Sequence, residues 1–189
     1  MTEAIHFGND FNSSVASLRT LDAFLRNWWC LSIGITGGLR RNTHPIGDRH
    51  AECVERATML FADALGKEAI VSVQNPLRLT NYTEPQPDIV IRKRRREFYR
   101  PKGHSPEDTV LLIEVSDTTL RYDRNVKLRR YAAAGILEVW IEDLTNDLLL
   151  VYREPAGDRF KTGLTFRRDD SVSPLAFPES IFKVEDLLG

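Results

Sequence analysis

Apolar residues along the chain recur at helical steps in three stretches and gather into short unbroken runs in several others. From Ser13 to Trp29, the residues Val15, Leu18, Leu21, Leu25 and Trp28 keep three- and four-residue spacing and predict a helix. The following segment, Trp28-Trp29-Cys30-Leu31 into Gly34, Gly37 and Gly38, has neither helical nor strand periodicity. From Asp48 the pattern is clean. Asp48 is read as a cap, Cys53, Val54, Ala57, Leu60, Phe61, Ala64 and Leu65 share one face, and Gly66 supplies the stop. Ala69 to Val73 and Leu77 to Leu79 read as short strands around Asn75-Pro76, and Asp88 to Ile91 as another after Pro85-Gln86-Pro87. Val110 to Val115 is a buried-type strand carrying one charge, Glu114. A further helix runs from Asp123 to Ala134 and stops at Gly135, followed by strands Glu138 to Glu142 and Leu148 to Tyr152. Phe160 to Gly189 holds one or two strands and a closing segment with Ile181, Val184 and Leu187. Strands in a row with helices to cover them predict an α/β or α+β layered domain.

Composition narrows the class. With 189 residues, 42% hydrophobic and 28% charged, the chain suits one sizeable core, and no internal repeat or linker divides it. Lys and Arg total 26 against 27 Asp and Glu, a formal net charge of -1, which excludes a polycation that coats nucleic acid by charge alone. Cys30 and Cys53 are the only cysteines, too few for a disulfide framework or a thiolate zinc site. No apolar run approaches the ~20 residues of a membrane helix, and Met1 to Asp10 lacks the basic and apolar regions of a secretory signal. A soluble, cytoplasmic protein without a membrane partner is expected.

The chemistry is sought among residues that local structure would not choose. Strand alternation puts Glu114 on the face of Leu112, where a carboxylate costs several kcal/mol unless it is paired or bound to a cation. Asp88 opens another apolar strand directly after Pro87, and Lys127 lies one turn into the helix after Glu114. Two carboxylates and an ammonium suit phosphodiester hydrolysis: carboxylates hold Mg²⁺, and the lysine orients the attacking water or stabilises phosphoryl charge. The plainer alternative is a turn at Pro87-Asp88, a solvated Lys127, and a Glu114 paired with Lys127 or an arginine.

Several blocks in one order carry a family resemblance. These are Pro45-Ile46-Gly47-Asp48-Arg49-His50-Ala51-Glu52, Val73-Gln74-Asn75-Pro76, Pro87-Asp88-Ile89-Val90 and Leu112-Ile113-Glu114-Val115-Ser116-Asp117-Thr118. They continue with Tyr122-Asp123-Arg124, Lys127, Tyr131-Ala132-Ala133-Ala134-Gly135-Ile136, Glu138-Val139-Trp140-Ile141 and Val151-Tyr152-Arg153-Glu154-Pro155. Together they resemble the Uma-type restriction endonuclease family of the PD-(D/E)XK nuclease superfamily, over roughly residues 45 to 189. The resemblance implies a restriction endonuclease-like fold, a central mixed β-sheet flanked by helices. It further implies a metal site of Asp88 and Glu114, with Mg²⁺ as cofactor, Mn²⁺ as substitute and DNA as partner. Asp88, Glu114 and Lys127 become the candidate catalytic residues. The usual superfamily lysine falls two residues after the second acid, where this chain has Ser116; the Uma-type pattern moves it to the next helix, at Lys127. His50 and Gln74 match recurrent family positions with supporting roles. Dimers are common in the superfamily, so a homodimer is compatible with the resemblance.

Residues 1-44 depart from that pattern. Where family members carry an acidic segment, this chain has no acidic residue between Asp22 and Asp48. The stretch is read as an atypical N-terminal segment beside a recognisable nuclease-like region at 45-189. Its lost acid favours an alternative function, a catalytically impaired or inactive nucleic-acid-binding protein that keeps the nuclease fold. Arg92-Lys93-Arg94-Arg95-Arg96, with Arg100 and Lys102, is the one dense basic cluster. It is read either as a phosphate-backbone grip or as a solvated loop protecting a sheet edge. Phe98 and Tyr99 either stack on bases or pin the loop, and Trp140 is read as packing.

Overall fold

Helix α1 (Asp48–Leu65) begins where Gly47 turns the chain from extended backbone, φ -63° and ψ 145°, into the helical region. Asp48 is the first helical residue and not the cap, because no side chain caps this end; its carboxylate instead sits in the first turn, where the helix dipole favours negative charge. Gly66 ends the helix at φ 48°, with its N–H bonded to the Ala62 carbonyl. Cys53, Val54, Ala57, Phe61 and Leu65 are the buried stripe, whereas Ala64 lies at its edge and is exposed.

The computed structural model describes residues 47–94, 105–117 and 123–189, which all fall within one unit, Pro45–Gly189. The expected helix Ser13–Trp29, the glycine-rich stretch after it, and Arg95, Arg96, Phe98, Tyr99, Arg100 and Lys102 lie outside the described residues.

Six strands form one sheet in sequence order: β1 (Ala69–Val73), β2 (Ile89–Lys93), β3 (Thr109–Ser116), β4 (Glu138–Asp143), β5 (Leu148–Ala156) and β6 (Arg159–Phe166). All neighbours run antiparallel except β3 and β4, which are parallel. A parallel pair needs a crossover, and the connection contains a π-helical stretch, Asp123–Lys127, running into α2 (Leu128–Ala133). The expected helix Asp123 to Ala134 is therefore present in two windings, and Gly135 stops it at φ 78°. A two-stranded sheet, β7 (Ser171–Val172) with β8 (Phe182–Lys183), and a short helix α3 (Val184–Leu188) close the chain.

Leu77 to Leu79 is not a strand. Pro76 cannot donate to a ladder, and the chain folds back on itself, with Leu77 N–H bonded to the Pro85 carbonyl and Leu79 N–H to that of Thr83.

The central strands are covered on both faces, which is why β3 and β4 read as near-continuous apolar runs. Leu111, Ile113, Val115, Trp140, Leu149 and Val151 pack with α1, Phe182 and α3. Leu112, Val139, Ile141 and Leu150 pack with Leu128 and Tyr131 of α2. Trp140 is packing, as expected: it is fully buried, its ring lies 5.7 Å from Phe61, and its indole N–H donates to Glu138 at 2.8 Å. No described helix is long and apolar enough to cross a membrane.

Candidate active site

The antiparallel register of β2 and β3 brings the two candidate carboxylates together. Ile89 pairs with Ile113 and Val90 with Leu112, so Asp88, the residue just before that ladder, falls at the Glu114 end of β3, near enough for its charge to act on Glu114. Pro87 sets this boundary, since it lacks an N–H and ladder pairing resumes only after it. Asp88 is then fixed at both ends: its carbonyl accepts from Gln74 N–H at 2.9 Å, and its Oδ2 accepts from Val115 N–H at 2.9 Å. His50, in the first turn of α1, places Nε2 3.3 Å from the same Oδ2. That contact holds the imidazole pKa above its ordinary 6.5 against the opposing effect of burial.

Glu114 is buried within β3, and both its oxygens are engaged from one helix face. Lys127 Nζ lies 2.9 Å from Oε2, and the Tyr131 hydroxyl donates to Oε1 at 2.5 Å. Lys127 and Tyr131 are four residues apart across the junction of the π-helical stretch and α2, the spacing that aligns side chains on one face. Burial pushes the Glu114 pKa up to about 7; the Lys127 charge pulls it down, and the negative charge of Asp88 raises it again.

The structure thus brings Asp88, Glu114 and Lys127 to one place, together with His50. Gln74 meets the site through its backbone, in the left-handed region at φ 47°. Ser116 is fully buried, and the ammonium reaches Glu114 from the crossover helix instead. Of the basic cluster, Arg92 is buried and Arg94 donates to the Lys67 carbonyl at 2.9 Å.

Two participants escaped the sequence reading. Tyr131 sits one turn beyond Lys127, a spacing that would have paired it with the same acid. Glu142 is two residues after Trp140 in β4 and therefore on the α1 face, an acid in an apolar strand like Glu114. It is fully buried, and its Oε2 accepts from Cys53 Sγ at 2.8 Å. Burial is the main cause that pushes its pKa up to about 8.

The pairing of Glu114 with Lys127, by itself, is what a purely structural role requires. Asp88 has its own structural partners in His50 and the Val115 N–H, yet a second carboxylate near the first makes ionised Glu114 costlier. A shared cation reverses that sign. Among the described residues no set of three or more His, Cys, Asp and Glu side chains could hold a metal ion. The donor set here is instead two carboxylates, the number Mg²⁺ takes when waters and substrate phosphate complete its shell.

A six-stranded mixed sheet with helices on both faces, and acids converging where β2 meets β3, defines an α/β protein of nuclease-like architecture. The family model described as "Putative restriction endonuclease" (Uma2) matches residues 35–185, and the chain belongs to that family. Among solved structures it is similar to "a putative nuclease belonging to DUF820" from Anabaena variabilis, at 16% identity and a TM-score of 0.60. That match covers 82% of this chain and 87% of the other, and it shows the shared fold. No curated protein matches the chain.

Proposed function

We propose that the protein is a Mg²⁺-dependent endonuclease that hydrolyses DNA phosphodiester bonds. The observation that carries this reading is the convergence of Asp88, whose charge acts on Glu114, with Lys127 Nζ 2.9 Å from Glu114. Membership of the family described as "Putative restriction endonuclease" supports the reaction class.

Asp88 and Glu114 would hold the metal, with Mn²⁺ as a substitute. When bound, such an ion acidifies a coordinated water and neutralises charge on the phosphate. His50 and the Val115 N–H hold Asp88 in place, and Tyr131 does the same for Glu114. Lys127, partly exposed at 24%, can reach both Glu114 and a phosphate oxygen outside, so it orients the attacking water or stabilises the charge that develops.

Purified protein is expected to nick or cut plasmid DNA with Mg²⁺ or Mn²⁺. Glu114→Gln should abolish this while circular dichroism shows the fold retained. Cleavage that persists in that variant removes Glu114 from the mechanism. A second reading, a nucleic-acid-binding protein that keeps the fold without cutting, is favoured by the engagement of both Glu114 oxygens within the protein. DNA binding with neither Mn²⁺ binding nor cleavage would select it.

A further inference from the structure

The α1 side of the site holds two buried polar atoms that lack a hydrogen-bond partner, His50 Nδ1 and Glu142 Oε1. They are close in the fold. Cys53, whose Sγ lies 2.8 Å from Glu142 Oε2, is three residues after His50 on the same helix. Residues at that spacing have Cβ atoms roughly 5–6 Å apart on one face. The Glu142 carboxyl is therefore in contact with the residue one helical turn from His50, and the charges of His50 and Asp88 are both felt at Glu142.

Their hydrogen-bonding capacities are complementary. With Nε2–H pointing at the Asp88 carboxylate, a neutral imidazole presents a lone pair at Nδ1, while a protonated Glu142 presents an O–H at Oε1. If the proton resides on the imidazole instead, donor and acceptor exchange roles and the match is kept. Leaving both atoms unpaired in the interior would carry the full desolvation penalty of each. One water between a donor and an acceptor removes both penalties, and buried waters typically serve such groups.

We infer that an internal water joins Glu142 Oε1 to His50 Nδ1, making Glu142 a positioning residue that fixes the imidazole and, through it, the carboxylate of Asp88. This inference rests on the proposed role of Asp88 for its functional meaning but not for its geometry. Glu142 touches no substrate. Its place is in the chain Glu142, water, His50, Asp88, which sets the orientation of one wall of the site. A group bonded directly to a metal ligand, the place His50 takes beside Asp88, typically changes affinity about 10–100-fold when lost, and Glu142 acts on that group.

The test is made on metal-free protein, so it is independent of catalysis. Imidazole ¹⁵N NMR is expected to show His50 Nδ1 hydrogen-bonded in the native chain. In Glu142→Leu that signal should move to the position of an unbonded ring nitrogen, and Glu142→Gln, which keeps a hydrogen-bonding end, should restore most of it. Unchanged His50 ring signals in Glu142→Leu would overturn the inference. If Glu142→Leu does not fold, a high-resolution crystal structure of the native protein decides the matter. A water bonded to both His50 Nδ1 and Glu142 Oε1 supports the inference, and a gap without one overturns it. A native protein that shows the bonded Nδ1 yet fails to bind Mn²⁺ would refute the proposed function while leaving this network standing.

Discussion

Lys127 Nζ sits 2.9 Å from Glu114 Oε2 although the two residues come from different elements, the crossover helix and the central strand β3. The pair is asymmetric, with Glu114 at 2% exposure and Lys127 at 24%. The acid is fixed in the sheet, and the ammonium can swing toward solvent. Lys127→Met is expected to lower DNA cleavage ~100–1000-fold, the usual loss when one charge-stabilising donor is removed. Circular dichroism should show the fold intact, because Glu114 can take up a proton in place of its partner. Cleavage within a factor of three of the native rate would show that Lys127 only neutralises Glu114.

Tyr131 offers a test of support without charge. Tyr131→Phe deletes the hydroxyl that donates to Glu114 Oε1 and leaves the buried ring in the α2-side core. A hydrogen bond to a charged group contributes about 1.5–3 kcal/mol, so urea unfolding should show a loss in that range above pH 7. The loss should be smaller at pH 5, where Glu114, with its pKa pushed up to about 7, is protonated. An equal loss at both pH values would mean that the hydroxyl does not serve the carboxylate.

Glu142 governs a second pH effect. Burial raises its pKa from the ordinary 4.5 to about 8, so between those values the folded protein retains a proton that the unfolded chain has released. Stability therefore falls as pH rises through this window, by an amount on the order of several kcal/mol. Glu114 has the same sign up to about pH 7. His50, with its pKa raised by the Asp88 contact, also stabilises most below 6.5 and loses that contribution as pH climbs through its folded value. In Glu142→Leu the decline between pH 4.5 and about 8 should be shallower. Chemical denaturation at half-unit steps of pH measures this, and a curve parallel to the native one would show that Glu142 is ionised throughout.

Much of this site was legible because its signals are local. Glu114 breaks an apolar run, Pro87-Asp88 precedes a strand, and Lys127 follows on a helix with a glycine stop; each stands out against its neighbours. The helix α1 and strands β1 to β5 were legible for the same reason, since periodicity and turn residues act over a few positions. What stayed hidden depends on register and on contacts across the chain. That Asp88 comes near Glu114 depends on Ile89 pairing with Ile113, and His50 meets Asp88 across 38 positions of sequence. Leu77 to Leu79 shows the opposite failure. Its apolar residues suggested a strand, but Leu77 is buried as a loop anchor while its backbone bonds to Pro85. The π-helical winding of Asp123–Lys127 also leaves no mark that separates it from an α-helix in the pattern of apolar positions.

Asp88 provides the most direct test of the neighbouring carboxylates. Its negative charge is one of the causes that raise the Glu114 pKa, and Asp88→Asn removes that charge while keeping an oxygen that can accept from the Val115 N–H. Carboxyl ¹³C NMR on metal-free protein should then find Glu114 titrating below about 7, because burial is opposed by Lys127 without the added repulsion. Calorimetric titration should find Mn²⁺ binding at least about tenfold weaker in the same variant, since one of two carboxylates is lost. The two measurements fail in different ways. An unmoved Glu114 midpoint would place the carboxylates too far apart to interact, whereas a lowered midpoint with native Mn²⁺ affinity would keep the geometry and move the cation elsewhere.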